Sequence, residues 1–416
     1  MPKPDRDDVV LSGLGITSAI GQGREAFATA LFAGTTRFRV MERPGRQSAH
    51  AGIATAFLGA EIESLRIPEP LSPDDLRTAS FSARVALVTM HEAWRDAALD
   101  GIDPCRIGLV VGGSNVQQRD LVLAHEKYRD RVAFLRPTYG FGFMDTDIVG
   151  LGTEHFGIRG PSFTVGGASA SGQVAVIQGV HAVRSGTVDA CIVVGALMDL
   201  SYWECQGLRA MGAMGSDRFA TEPSRACRPF DRDSDGFIFG EACGAVVLER
   251  HGSHARRRPR RAPVVAVAGS AMRMDAHRGP DACAEGERAV IQCALDDAGI
   301  AAGQVEYVNP HGTGSSSGDA AELRALQSAG LRHARINATK SLTGHGLTAA
   351  GVVEIVATVI QMEAARLHPT RNLDHAADES FNWVGATAEE CRFTTALTLS
   401  HGFGGVTSAI CLRGPS

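Results

Sequence analysis

The sequence lacks several things at once: a strong charge excess, paired cysteines, an apolar leader and a long hydrophobic run. Lys and Arg number 41 against 46 Asp and Glu, a net charge of −5, so there is no global bias toward nucleic acid or a membrane surface. Nine cysteines are scattered over 416 residues without a CxxC spacing. Several sit in apolar runs such as DACIVVGA and GEACGAVVLE, which favours buried thiols over disulfides or zinc. The start, MPKPDRDDVVLSG, is charged where a secretory leader would be apolar, and no apolar run reads as a membrane span. A cytoplasmic enzyme is the expectation, and partners have to be inferred from local sites.

What is present is an alternation. Short β-branched runs recur as VVLSGLG near residue 9, RIGLVVGG near 106, ACIVVGA near 190, AVVLER near 245, VVAVAGS near 264 and EYVNPHG near 306. They read as buried strands. Between them lie helix-like stretches such as TASFSARVALVTMHEAWRDAAL and EGERAVIQCALDDAG, so the class is α/β. The arginine-rich stretch HGSHARRRPRRAP, beginning at His251, reads as a solvated linker between halves 1–255 and 256–416. SGQVAVIQGVHAVRSG in the first half resembles TGHGLTAAGVVEIVATVI in the second, a weak sign of internal duplication.

Three motifs invite a function and then fail. GLGITS at 13–18 imitates a dinucleotide-binding turn, but Ser18 replaces the third glycine and GTTRFRV stands where a ribose-binding acid belongs, so a structural turn is expected. DRDSDGFIFGEA imitates a calcium loop through Asp231, Asp233, Asp235 and Gly236, yet position twelve is Ala242 and the acid comes one place early at Glu241. No metal is therefore assigned. GASAS, Gly167 to Ser171, misses the hydrolase elbow because Ser171 occupies the final glycine position.

The surviving candidate is Ser169, placed just before an apolar helix whose free N–H groups favour developing negative charge. Local sequence favours the plainer role of a helix N-cap. Downstream, His311 in HGTGSSSGDAAE and His345 with Lys340 in TKSLTGHGLTAAG lie in small-residue turns where a backbone can approach a ligand. Two such histidines and a lysine point to one polar pocket.

Taken together, FGIRGPSFTVGGASASG, RPFDRDSDGFIFGEACGAVVLE, YVNPHGTGSSSGDAAE, NATKSLTGHGLTAAGVVE and SHGFGGVTSA resemble the type II β-ketoacyl-acyl carrier protein synthases of the thiolase-like superfamily. The resemblance spans nearly the whole chain. It implies two duplicated α/β halves in a five-layered αβαβα sandwich, generally dimeric, with a Cys-His-His catalytic set. Ser169 takes the cysteine's place, and His311 and His345 match the histidines. Lys340, Asp319 and Glu322 match residues that order the pocket, while Thr313 and Ser315 match positions touching a phosphopantetheine arm. Phe403 matches the gating phenylalanine, with Ser169 sharing its place at the oxyanion site, and His401 replaces an apolar family residue.

Serine for cysteine changes the chemistry on offer. A thiol can be driven to thiolate by a helix end, whereas a hydroxyl needs a placed base. Losing carbon dioxide from a malonyl thioester asks only for donors to the enolate oxygen in a dry site. The reading is a decarboxylase of malonyl-acyl carrier protein, resembling the serine-containing ketosynthase-like decarboxylases of polyketide β-branching cassettes. It implies an acyl carrier protein and other cassette enzymes as partners, and no dissociable cofactor. The rivals are an acyltransferase or atypical condensing enzyme acylated on Ser169, and a non-catalytic partner like a chain-length factor. A serine hydrolase ranks last.

Overall fold

The computed structural model describes residues 8–50, 53–74, 76–257 and 265–415. Ten principal strands carry the architecture. In the first half they are β1 (Val9–Ser18), β2 (Ile107–Gly112), β3 (Ser162–Val165), β4 (Ala190–Gly195) and β5 (Ala242–Arg250). In the second they are β6 (Ala266–Met274), β7 (Tyr307–Asn309), β8 (Arg335–Ile336), β9 (Thr395–Gly402) and β10 (Val406–Arg413). All six apolar runs read from sequence are strands.

Spatial order shows the duplication more firmly than the sequence does. The first half runs β3-β2-β4-β5-β1 and the second β8-β7-β9-β10-β6, the same permutation of chain order. Directions agree as well: in each half the first three strands are parallel, and the last two pairings are antiparallel. The two sheets join where β1 meets β6, through Val9 opposite Val267 and Val10 opposite Ala266.

Five helices complete the layers: α1 (Phe81–Ala97), α2 (Ser171–Arg184), α3 (Ala284–Ala298), α4 (Ser316–Ser328) and α5 (Ala350–Ala364). α1 covers the outer face of the first sheet against β1 and β5, and α3 covers the second against β6 and β10. α2 and α5 pack on each other between the sheets. They are the two stretches whose sequences looked alike. Such an apolar circumference belongs in a core. Accordingly, Leu347–Ala364, which is long and apolar enough to cross a membrane despite the sequence expectation, is 89% buried. The result is the thiolase-like αβαβα sandwich.

Two expectations change, and the acids of a third motif find partners. GLGITS is the interior of β1, not a turn: a Cβ on Gly13 would stand 2.4 Å from the Ala93 carbonyl oxygen, and one on Gly15 2.1 Å from that of Thr89. These glycines let β1 lie against α1. His251–Arg257 is a short helix, and the rest of the arginine stretch lies outside the described residues. The calcium-like acids are already used. Asp231 accepts from Arg228 at 3.0 Å and His375 N–H at 2.7 Å, and Glu241 from Arg43 at 2.7 Å and Arg46 at 2.5 Å.

Candidate active site

The site begins at the end of β3, where Gly166 and Gly167 lead into a tight 3₁₀ turn, Ala168–Ala170, that feeds α2. Ala168 is held at φ 48°, a left-handed conformation costly for a residue with a Cβ. Ser171 secures it: the Gly167 N–H donates to Ser171 Oγ at 2.9 Å, and that hydroxyl donates to the Ala168 carbonyl at 2.7 Å. Ser169 is therefore not the cap that local sequence favoured. The N-cap position belongs to Ala170, and the 3₁₀ turn sets Ser169 one step outside the helix. Its hydroxyl instead lies 3.0 Å from His345 Nε2.

Both histidines come from loops of the second half, placed by carboxylates that grip backbone. Glu322 on α4 accepts from the N–H groups of His311 at 2.6 Å and Gly312 at 2.8 Å. Asp319, one turn earlier, accepts from Thr313 at 3.0 Å, Gly314 at 3.2 Å and Phe230 at 2.6 Å. This is what holds HGTGS open as a loop. Gly312 and Gly314 adopt positive φ there, and a Cβ on Gly312 would meet the Phe230 ring at 2.6 Å. His345 is anchored by its own N–H to the Ile238 carbonyl at 2.7 Å and by the edge of Phe237, ring centroids 5.1 Å apart.

Lys340 sits behind the pair rather than in the cavity. Its ammonium donates to the His311 carbonyl and to Glu354, and lies 3.4 Å from His311 Nδ1. An ammonium can only donate, so Nδ1 is the acceptor and the neutral His311 ring carries its hydrogen on Nε2. Burial, and then the Lys340 charge, hold both His311 and His345 well below the usual imidazole range. Burial pushes the acids up: Asp319 to about 6, Glu354 to about 7 and Glu322 to about 8, against the opposing pull of Lys340. The imidazoles are thus neutral donors at physiological pH.

A cavity of about 360 Å³ collects the set. Ser169, His311, His345, Asp319, Glu322, Thr313, Ser315, His401 and Phe403 all line it, and Lys340 alone of the sequence candidates does not. Phe403, between Gly402 and the positive-φ pair Gly404 and Gly405, packs with Met198, Leu208, Phe237 and Leu347 at its apolar end. The His311 and His345 rings stand edge to face at 5.3 Å. Sequence reasoning missed Glu354, Phe237 and Glu287. The first had a signal, since an acid inside GVVEIVATVI has to meet a buried cation.

The duplicated thiolase-like fold, with two neutral histidines beside the turn that heads a central helix, is that of the β-ketoacyl synthases. Residues 6–254 match the β-ketoacyl synthase N-terminal domain and residues 264–374 its C-terminal domain, and the chain belongs to that family. Among its relatives, the polyketide biosynthesis malonyl-ACP decarboxylase PksF of Bacillus subtilis is 53% identical, over 99% of this chain and 98% of that one. A β-ketoacyl synthase from Burkholderia phymatum shares the fold with a TM-score of 0.88 at 24% identity, covering 98% of this chain and all of the other. A ketosynthase from a complex with its type II acyl-carrier protein, AntDE:AntF, superposes with a TM-score of 0.84 at 25% identity, over 99% and 100% of the two chains.

Proposed function

We propose that this chain is a ketosynthase-like decarboxylase that converts malonyl-acyl carrier protein to acetyl-acyl carrier protein in polyketide biosynthesis, within β-branching. The observation that carries the reading is the state of His345. Its Nε2 faces Ser169, but its buried Nδ1 has no hydrogen-bond partner among the described residues, and Asp319 and Glu322 are occupied by backbone amides. A base that activates serine needs a group behind it to orient the ring and balance the imidazolium. Here no such group stands among the described residues, and Lys340 opposes the positive charge. Acyl transfer through Ser169 is disfavoured, while donors to an enolate remain. The printed function of the 53% identical relative agrees.

The phosphopantetheine arm enters past Thr313 and Ser315, with Phe403 as the gate. His311 and His345 donate N–H bonds to the thioester oxygen. The bond from the α-carbon to the carboxylate breaks, its electron pair passes into the enolate, and carbon dioxide leaves. Electrostatic donors of this kind do most of such work in a water-poor site. Ser169, with Phe403, belongs to the oxyanion end, where its hydroxyl is a hydrogen-bonding group rather than a nucleophile. His401 shapes the malonyl end of the pocket.

The remaining assignments follow from the same reading. The partners are an acyl carrier protein, other cassette enzymes and a second copy of the chain. β3 ends the sheet with Phe163 41% exposed, and Phe134, Phe141 and Phe143 are exposed as well, an edge and apolar side chains suited to dimerisation. Nine free thiols fit the cytoplasm. The halves divide at 255/256, and no dissociable cofactor or metal is needed.

Malonyl- and methylmalonyl-loaded carrier proteins, incubated with the enzyme and read by mass spectrometry, test the proposal. Acetyl-carrier protein is expected from malonyl, and its absence across the panel sinks the reading. One observation favours the acyl-enzyme rival, the 3.0 Å His345–Ser169 contact. Intact-mass detection of acyl-Ser169 would establish it. Unchanged activity in a His311→Ala, His345→Ala double variant would instead point to a non-catalytic partner subunit.

A further inference from the structure

Decarboxylation leaves an enolate that needs a proton at carbon, and none of the groups assigned above provides it: Lys340 does not line the cavity, and the two imidazoles serve the oxygen. On the opposite wall, at the end of β9, stands His401. Its side chain is 12% exposed, its ring lies 5.3 Å from that of His311, and neither ring nitrogen has a hydrogen-bond partner among the described residues. Buried polar atoms left unpaired in this way call for an explanation. Nε2 is 3.8 Å from Glu287 Oε2 on α3 and 3.8 Å from Glu322 Oε1 on α4. Glu287 is 2% exposed, and its Oε2 is also unpaired among the described residues.

We infer that His401, backed by the buried Glu287–Glu322 carboxyl pair, delivers the proton that turns the enolate into the acetyl group. The inference rests on the decarboxylase reading and adds its second step. His401 Nδ1–H gives its hydrogen to the enolate carbon, forming the C–H bond of the methyl group. The same ring takes a proton on Nε2 from the carboxyl pair, so it ends neutral in its other tautomer. The pair, one proton poorer, is recharged from solvent on the side where half-buried Asp275 lines the cavity. The N–H bond at Nδ1 and one carboxyl O–H bond break, a methyl C–H bond and an N–H bond at Nε2 form, and the enolate's negative charge reappears as a carboxylate on the pair, so charge and protons balance. The 3.8 Å gaps close by a small ring shift or a bridging water.

The chemistry of two buried acids suits this task. Two carboxyls sharing one buried region cannot both ionise. Burial, followed by the neighbouring Glu322, pushes Glu287 to about 9, so the pair holds a proton at neutral pH. His401 is kept neutral by burial and by Lys340, at about 3, and acts as a conduit rather than a cation. His401 is the catalytic residue in this step, while Glu287 acts through it and is a positioning residue.

The test uses the full-length enzyme and a malonyl-loaded carrier protein that the wild type converts, in buffer enriched with ¹³C-labelled carbon dioxide. A wild type that makes no acetyl product defeats the decarboxylase reading itself. Given an active wild type, His401→Phe is expected to lower acetyl formation about 10²-fold, a typical share for a general acid. Because the unquenched enolate then recaptures carbon dioxide, label in the remaining malonyl-carrier protein rises above wild type. Glu287→Gln moves both readouts the same way by a smaller factor. Acetyl formation within twofold of wild type, or a loss without increased label exchange, overturns the inference. His401→Asn carries the same two readouts should His401→Phe fail to fold.

Discussion

The protein makes the same turn twice and uses it differently. Ala168–Ala170 precedes α2 and Leu347–Ala349 precedes α5, each a 3₁₀ turn opened by a residue at positive φ, 48° at Ala168 and 51° at Leu347. Ser169 and Thr348 are the matching hydroxyls. Gly172 and Gly351 follow at the same offset, and each lets its helix approach the other: a Cβ on Gly172 would meet the Thr348 carbonyl at 3.0 Å, and one on Gly351 would meet Gln173 at 2.7 Å. Yet Ser169 is half-buried and faces His345, whereas Thr348, which lines the same cavity, is 2% exposed and has its hydroxyl committed to the Ala196 carbonyl at 2.7 Å. Duplication supplied two equal backbones. What the opposite half presents to each decides its use: the His345 imidazole from the second half meets Ser169, and the Ala196 carbonyl at a strand end of the first meets Thr348.

The largest test of this asymmetry removes the charge that organises the Ser169 side. Lys340→Met leaves Glu354 without its buried partner and should cost about 3–5 kcal/mol of stability above neutral pH. The sign follows from Glu354, whose folded pKa of about 7 already exceeds its unfolded value. The folded state binds the extra proton between those limits, so stability falls as pH rises through them. Without Lys340 the folded value climbs further. The deficit should be smallest near acidic pH and grow toward alkaline pH, as read by denaturant midpoints.

Next in size, His311→Ala should lower acetyl-carrier protein formation about 10²–10³-fold, the usual loss for one oxyanion donor, with the denaturation midpoint little changed. At the second turn, Thr348→Val should cost about 1 kcal/mol through the lost bond to Ala196, by the same amount at every pH because neither partner titrates. Its decarboxylation rate should stay near wild type. The smallest effect on rate is expected at Ser169 itself. Ser169→Ala loses one hydrogen bond and should keep activity within about tenfold of wild type. Ser169→Cys should acquire a covalent acyl adduct by intact mass, which wild type lacks. An acyl adduct on wild-type Ser169, or a Ser169→Ala variant as dead as His311→Ala, would erase the distinction between the turns.

Strands such as ACIVVGA were legible because a run buried on both faces must be apolar throughout. The hairpin Thr395–Arg413 was not read as strands, although its GFGG turn served as a landmark. GLGITS misled because its glycines answer to α1, distant in sequence, rather than to a local turn. The ten site residues were legible as a set, and nine of them meet at one cavity. Glu287 was not, since its acid lies on an ordinary amphipathic helix and becomes unusual only when α4 and β9 bring Glu322 and His401 beside it.

The amino-acid order by itself determined the alternating elements, the two related halves and the inventory of hydroxyl, imidazole, ammonium and carboxyl groups. Those depend on periodicity and on residue type, which are local. Tertiary structure alone decided that Ser171 secures the turn while Ser169 is free to meet His345, that Lys340 fixes the hydrogen of His311 on Nε2, and that the acids of α3 and α4 share a buried wall with His401. Desolvation and charge pairing depend on distance in space, and the residues concerned lie up to 176 positions apart in the chain.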